Sequence, residues 1–236
     1  AKTGRYPFGI ILSPDQQKVY VANVGMFEYS KIGNIEAKKD YKKALDFPAF
    51  AYGSDEMKNG TRIDSMDIPG LGDPNVPESF SVWSFSVKNP TAPEVQAKIK
   101  TGVLVGELIE GIPAVGGSSP NSLAVTDRYV FVSNGTNDNI SVIDIERDTI
   151  TMQIPLKLHE AVKQFRGVIP FGLAVSPDQN RLYVAESGVN AIGVVDIPTL
   201  KVVGHIPSGW FPAKIEITPD GKTLIASNAK GFGSGP

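Results

Sequence analysis

Apolar and polar residues alternate over short stretches along most of the chain, and the same alternation returns at intervals. Residues 170–186 (PFGLAVSPDQNRLYVAE) closely repeat residues 7–23 (PFGIILSPDQQKVYVAN), and residues 212–228 (PAKIEITPDGKTLIASN) follow the same pattern. A fourth copy, residues 120–134 (PNSLAVTDRYVFVSN), is shorter at its turn. A period of two residues indicates β-strands, because a helical repeat would show a period of about 3.6.

Each copy predicts two strands that are joined by a tight turn. Three copies carry Ser-Pro-Asp or Thr-Pro-Asp between the strands, where Pro presets the backbone angle φ and Asp bonds back to the main chain. A third and a fourth strand follow, such as residues 191–197 and 201–206 in the third unit. Four short antiparallel strands in a unit of about 42 residues are typical of a β-propeller blade. The sequence therefore predicts an all-β fold, a β-propeller.

The repeats predict a single propeller domain over residues 1–236, with a large insertion at residues 26–80 and an incomplete last unit. The predicted blade repeats are approximately 5–102, 119–156, 169–207 and 211–236. Seven blades would need roughly 300 residues at this period, so we interpret the chain as part of a seven-bladed ring. An open ring exposes a sheet face and strand edges, so other blades, a second chain or another domain would complete it. A closed four-bladed ring is the alternative.

Composition narrows the classes of function. The chain has 23 basic and 25 acidic residues without a basic block, so no nucleic-acid partner is expected. It contains no cysteine, which excludes disulfides and thiolate metal sites. No apolar run approaches the ~18 residues of a membrane span. The first residues show neither an initiator Met nor an apolar signal region, so a removed signal peptide is possible.

The Ser-Pro-Asp-x-x-x-[Val/Leu]-Tyr-Val-Ala core resembles the YVTN-type β-propeller repeat. The segments RGVIPFGLAVSPD, GHIPSGWFPAKIEITPDGKT and SNAKGFGSGP resemble the propeller portion of bacterial proteins in which a YncE-like propeller precedes an alkaline-phosphatase-like phosphoesterase domain. This resemblance implies a periplasmic or extracellular protein with a phosphoesterase-like partner domain. No segment of the chain resembles the metal-binding motifs of that domain, so the resemblance assigns no catalytic residue here.

Candidate ligand-binding residues lie in the connections that a propeller gathers on one face. One polar position follows every second strand and is occupied by Asn23, Asn134, Glu186 and Asn228. These side chains could bind a polar ligand at the channel, or they could bond the turn that follows each strand. Two further candidates, Arg166 and Trp210, lie in the connections before the third and fourth units.

Other segments carry weaker signals. The insertion, in which residues 37–45 could form a short helix, could contact a ligand or cover an edge of the domain. The Gly116-Gly117 segment could present amides to an anion, but a flexible linker is the better interpretation. The segment GFGSG lacks the spacing of a dinucleotide fingerprint. His159 and His205 fall in different element types, so a shared metal is not expected. We therefore predict no metal, cofactor or catalytic residue.

These observations favour a non-catalytic scaffold or recognition module of a larger exported protein. Two alternatives stay open. One is a hydrolase or lyase with its site at the channel mouth, which would use Glu186, Arg166 and Asp64. The other is a cell-surface repeat protein that binds proteins or glycans. Fold analogy does not choose among them, because propellers host many unrelated activities.

Overall fold

A computed structural model describes residues 1–28, 53–63, 66–109, 111–162 and 164–231. Besides a short helix, α1 (Asp55–Asn59), and a single 3-10 turn at Glu160–Val162, the regular elements of these residues are β-strands. In chain order the strands are β1 (Pro7–Leu12), β2 (Lys18–Asn23), β3 (Gly60–Ile63), β4 (Met66–Pro69), β5 (Ser81–Ser86), β6 (Glu94–Lys100), β7 (Leu108–Ile109), β8 (Ile112–Pro113), β9 (Pro120–Val125), β10 (Tyr129–Asn134), β11 (Asn139–Asp144), β12 (Thr149–Pro155), β13 (Pro170–Val175), β14 (Arg181–Glu186), β15 (Ala191–Asp196), β16 (Lys201–Pro207), β17 (Pro212–Ile217) and β18 (Leu224–Asn228).

The strands form propeller blades, which confirms the predicted fold class. Blade 1 has the order β1-β2-β5-β6, blade 2 contains β9 to β12 in sequence order, and blade 3 contains β13 to β16. Every neighbouring pair within a blade is antiparallel. Blade 4 consists of β17 and β18 within the described residues.

The turn between the first two strands of a blade is held by its own side chains. Ser176 donates to Asp178 at 2.6 Å, and the Ser176 hydroxyl accepts from the amide of Arg181 at 2.9 Å. Because Ser176 and the Asn180 amide both donate to Asp178, the pKa of its carboxyl falls to about 2. Ser13 with Asp15, and Thr218 with Asp220, repeat the arrangement.

A second repeated feature lies at the start of each blade. The residue before the opening proline has a positive φ in all four blades, at Tyr6, Ser119, Ile169 and Phe211. Its carbonyl accepts a backbone hydrogen bond from the loop after the second strand, for example from Ser187 to Ile169 at 3.1 Å. The connections between blades and the loops between strands two and three are therefore joined on one face of the molecule, which we call the loop face.

The blades pack through apolar side chains that alternate with the strand period. Tyr20 and Val82 of blade 1 pack on Val130 and Ile143 of blade 2. A larger cluster joins blades 2 and 3, and a smaller one joins blades 3 and 4. The first strands of successive blades lie side by side around the centre. A Cβ on Gly9 would lie 2.5 Å from the Asn121 carbonyl oxygen, so glycine is required for this close approach.

The described part of the insertion forms a small unit against blade 1. Phe27, Met57 and Leu71 make a core of their own beside α1 and the β3–β4 hairpin. Towards its end, the Pro77 carbonyl accepts from the Trp83 indole at 3.1 Å, which ties the insertion to β5 of blade 1. The helix predicted over residues 37–45 lies outside the described residues. No helix in the described ranges is both long and apolar enough to cross a membrane.

Candidate functional site

The repeated polar position predicted from the sequence lies inside the blades. Asn23, Asn134 and Glu186 are fully buried, and Asn228 is half-buried. The Asn134 side-chain amide donates to the Asn139 side chain at 2.7 Å and to the Ser141 hydroxyl at 2.8 Å. Asn23 donates to the carbonyl oxygens of Val21 and Ser81, each at 3.3 Å. The bonds to Ser81, Asn139 and Ser141 tie strand two to strand three, and a ligand-binding role for these residues stays a prediction.

The four equivalent residues share a further property. In each of them one side-chain oxygen is buried and accepts no hydrogen bond from any described group. Buried acceptors are normally paired with protein or with ordered water. Each blade therefore offers one buried acceptor that a water molecule or another donor could bind at the end of its second strand.

Blade 3 differs from blade 2 at three positions that face the same side of the sheet. Register pairs Ser141 with Val132 and with Gln153 in blade 2, and pairs Gly193 with Val184 and with His205 in blade 3. The trio Asn134, Ser141 and Gln153 is thus replaced by Glu186, Gly193 and His205. The glycine leaves the gap through which Glu186 reaches His205, with Glu186 Oε2 at 2.8 Å from His205 Nδ1.

Both trios also hold the connection that leaves the preceding blade. Gln153 donates to the Gly102 carbonyl at 2.9 Å, and His205 Nε2 lies 3.3 Å from the Lys157 carbonyl. Gly102 and Lys157 are each the second residue after the outer strand of their blade. The neutral glutamine contact between blades 1 and 2 is therefore matched by an ionisable contact between blades 2 and 3.

The Glu186 carboxyl has an unusual electrostatic environment. Burial raises its pKa above the ordinary range, while the charge of His205 and the hydrogen bond to it act in the opposite direction. Asp138, from the loop between β10 and β11, adds to the rise by repulsion. A buried carboxyl with one histidine partner is the kind of group whose protonation responds to its surroundings.

Arg166 and Trp210 lie on the loop face, away from the buried trios. Trp210 is 47% exposed and donates its backbone amide to Gly231 at 3.2 Å. Arg166 lines a cavity of about 280 Å³ together with the β7–β8 hairpin. The structure does not bring the two side chains to one cavity among those that the described residues line.

Two adjoining cavities form a groove on the loop face. The second cavity, of about 420 Å³, shares Gly116 and Thr136 with the one beside Arg166. We call the two together the loop-face groove; its principal side chains are those of Tyr6, Met26, Phe80, Ile112, Val115 and Arg166. Ile112 and Val115 are 66% and 64% exposed, so apolar surface is open to solvent here.

Sequence reasoning missed His205 as a partner of Glu186, and it missed the groove. An alignment of the blades could have found the first, because Gly193 and His205 stand where blade 2 has Ser141 and Gln153. The groove depends on how a hairpin in a connection folds back, which a repeat pattern does not encode. Asp64, a nominee of the enzyme hypothesis, lies outside the described residues. Within the described ranges, no group of three or more His, Cys, Asp and Glu residues could hold a metal ion.

Comparison with solved structures places the fold among propeller-like proteins. Hydrazine synthase from Kuenenia stuttgartiensis is 23% identical, with a TM-score of 0.57 over 95% of this chain and 42% of that chain. A candidate 6-phosphogluconolactonase from Bacteroides uniformis is 13% identical, with a TM-score of 0.53 over 94% of this chain and 47% of that chain. A functionally unknown protein from Desulfotomaculum acetoxidans is also 13% identical, with a TM-score of 0.53, and covers 94% of this chain and 49% of its own.

At these identities the likeness concerns the fold. The chain spans less than half the length of each of these proteins. No protein-family model matches the chain, and no curated protein matches it by sequence.

Proposed function

We propose that this chain is a non-catalytic recognition module that binds an extended protein segment in the loop-face groove. The observation that carries the proposal is the run of exposed apolar side chains along two adjoining cavities. Tyr6 is 50% exposed at one end, and Ile112 and Val115 are exposed at the other. Apolar surface that is concave and exposed is typical of sites that bind protein partners.

The backbone around the groove is fixed by hydrogen bonds. The side chains of Thr136 and Asn137 both donate to the Gly117 carbonyl, the latter at 3.0 Å. The Phe80 ring lies against Gly117, where a Cβ would come within 2.2 Å of the ring. A preorganised groove loses less conformational entropy on binding, which favours a recognition role.

The resemblance to YncE-like propellers supports a wider setting for this activity. We place the chain in a larger periplasmic or extracellular protein, in which other blades, a second chain or another domain complete the ring. A phosphoesterase-like domain of the same protein is the partner that the resemblance suggests for the groove. The open edge of β18, which pairs with β17 among the described strands, is consistent with completion by further strands.

Selection of random phage-displayed peptides on this chain tests the groove directly. The selected peptides are then measured by fluorescence polarisation against the wild type and against the double variant I112D/V115D. We expect at least about a tenfold loss of affinity, because two apolar contacts are replaced by charges. The control is Lys222→Asp, which replaces a positive charge by a negative one in the exposed turn between β17 and β18.

Thermal unfolding of each variant shows whether its fold is intact. The proposal is wrong if folded I112D/V115D binds the selected peptides as well as the wild type does, or if K222D weakens binding to the same extent.

A further inference from the structure

The connection between blades 2 and 3, residues 156–169, is held at both of its ends. At its start the Leu156 amide donates to the Asp138 carbonyl at 2.9 Å, and the Lys157 carbonyl faces His205. At its end the amides of Gly167 and Ile169 donate to the Asp138 carboxylate at 2.7 and 2.9 Å. Between these ends the connection exposes Phe165 and brings Arg166 to the groove.

The two nitrogens of His205 both face acceptors. A carbonyl oxygen such as that of Lys157 can only accept, so His205 Nε2 must carry a proton to bond it. An ionised Glu186 can also only accept, so Nδ1 needs a second proton unless Glu186 itself is protonated and donates. In either arrangement Glu186 and His205 share one proton in addition to the proton on Nε2.

Loss of that shared proton leaves one N–H for two acceptors. Neutral imidazole carries a single N–H, and a hydrogen bond to a buried carboxylate is stronger than one to a neutral carbonyl. The remaining proton therefore moves to Nδ1 and stays with Glu186, and the Lys157 carbonyl loses its donor. Gln153 at the equivalent place keeps its bond to Gly102 at any ordinary pH, because an amide does not titrate in this range.

We propose that Glu186 and His205 form a proton-controlled latch on the connection between blades 2 and 3, closed when the pair holds its shared proton and open when the proton is lost. The groups that face the pair are Asp138, whose carboxylate is occupied by two amides, and the main chain of Lys157. The connection also carries His159, whose Nδ1 accepts from the Ala161 amide at 3.1 Å. The latch itself does not depend on the proposed function. Only its effect on peptide binding does, because the connection carries Arg166, which lines the loop-face groove.

A spin label on the connection reports the latch without any ligand. The chain has no cysteine, so Ala161→Cys gives a single labelling site, and Leu108→Cys gives a matched site on the connection after blade 1. We expect the mobile fraction at residue 161 to rise as pH increases, because the pair then loses its shared proton. The ratio of mobile to immobile label should grow by about five- to tenfold, which is the change expected when the connection loses one hydrogen bond. The label at residue 108 should not change.

Variants separate the pair from other titrating groups. The triple variant E186N/G193S/H205Q gives blade 3 the three residues of blade 2. It should keep the connection immobile at every pH tested. If the triple variant does not fold, the single variant Glu186→Gln replaces it. The glutamine side chain can donate to His205 Nδ1, so the N–H at Nε2 keeps its hydrogen bond to the Lys157 carbonyl. His205→Ala should be mobile at every pH, and His159→Gln should keep the wild-type transition.

Three results would overturn the latch. The first is a wild-type spectrum that does not change with pH. The second is a transition that persists in both E186N/G193S/H205Q and E186Q. The third is a transition that disappears in H159Q. None of these readouts involves the groove, so a failed latch and a failed peptide-binding experiment are distinguishable.

Discussion

At the scale of single residues, Gly193 shows how one missing side chain determines the chemistry of a blade. A Cβ at this position would lie 2.5 Å from Glu186 Oε1 and 2.9 Å from its carboxyl carbon. Glu186 is fully buried, so any shift of its carboxylate away from an added methyl group must be made inside the protein. The glycine therefore permits a buried carboxylate where the equivalent blade has a serine beside an asparagine.

Gly193→Ala is expected to destabilise the protein by about 1–3 kcal/mol, because the added methyl group overpacks the carboxylate. Urea denaturation gives the free energy of unfolding. Gly204→Ala on the neighbouring strand is the matched control, since a Cβ there meets no atom within 4 Å. The cost should fall when G193A is combined with Glu186→Asn, whose side chain is one methylene shorter. Equal effects of G193A and G204A would contradict the account.

Residue chemistry also shows what the sequence could reveal. Glu186 is the one acidic residue at a position that is otherwise asparagine, and the structure has a buried ionisable pair at this position. Its partner was missed because His205 lies on the outer strand, two strands away from Glu186 in the sheet. Periodicity predicts strands and faces, but it does not give the register between strands, and only register places both side chains beside Gly193.

At the scale of elements, the blades use two versions of one contact between neighbours. Between blades 1 and 2, the Tyr20 hydroxyl donates to Asp148 Oδ1 at 2.8 Å, and Lys18 Nζ lies 2.9 Å from Oδ2 of the same carboxylate. Between blades 2 and 3, Phe131 stands in the place of Tyr20 and Leu200 in the place of Asp148, within one apolar cluster. The polar contact between blades 1 and 2 is thus replaced by an apolar contact between blades 2 and 3, while the strands keep the same arrangement.

Tyr20→Phe is expected to cost about 1–2 kcal/mol of unfolding free energy, because the hydroxyl donates to a charged acceptor. A double-mutant cycle with Asp148→Ala should show a coupling energy of about 1 kcal/mol or more. Tyr183→Phe is the matched control in blade 3, where the described residues include no hydrogen-bond partner for the hydroxyl, and it should change stability by less than about 0.5 kcal/mol. A coupling energy near zero would mean that the tyrosine and the aspartate act independently.

The elements themselves were largely predictable, and their connections were not. The Ser-Pro-Asp turns of blades 1 and 3 lie where the repeat predicts them, and so do the alternating strands of blades 2 and 3. The left-handed backbone before each opening proline was not foreseen, because Tyr6, Ser119, Ile169 and Phe211 share no residue type that favours it. Hydrogen bonds from the neighbouring loop hold that conformation, and such bonds depend on tertiary structure.

At the scale of the whole molecule, the first strands line an open central channel. A cavity of about 700 Å³ runs along β1, β9, β13 and β17. Phe8 and Phe171 meet there edge to face, with ring centroids 6.0 Å apart. Phe8 is 60% exposed and Ile10 is 71% exposed, so one wall of this channel is apolar and open to solvent.

An open apolar wall of this kind promotes association between molecules. We expect the 236-residue chain to self-associate as its concentration rises. Ile10→Lys should lower the association constant by at least about tenfold, because the free energy of burying one isoleucine side chain corresponds to a change of that size. Sedimentation velocity measures both. Val203→Lys is the control, because Val203 is 59% exposed on the outer strand of blade 3, remote from the channel. If I10K and V203K sediment alike, association does not use the channel wall.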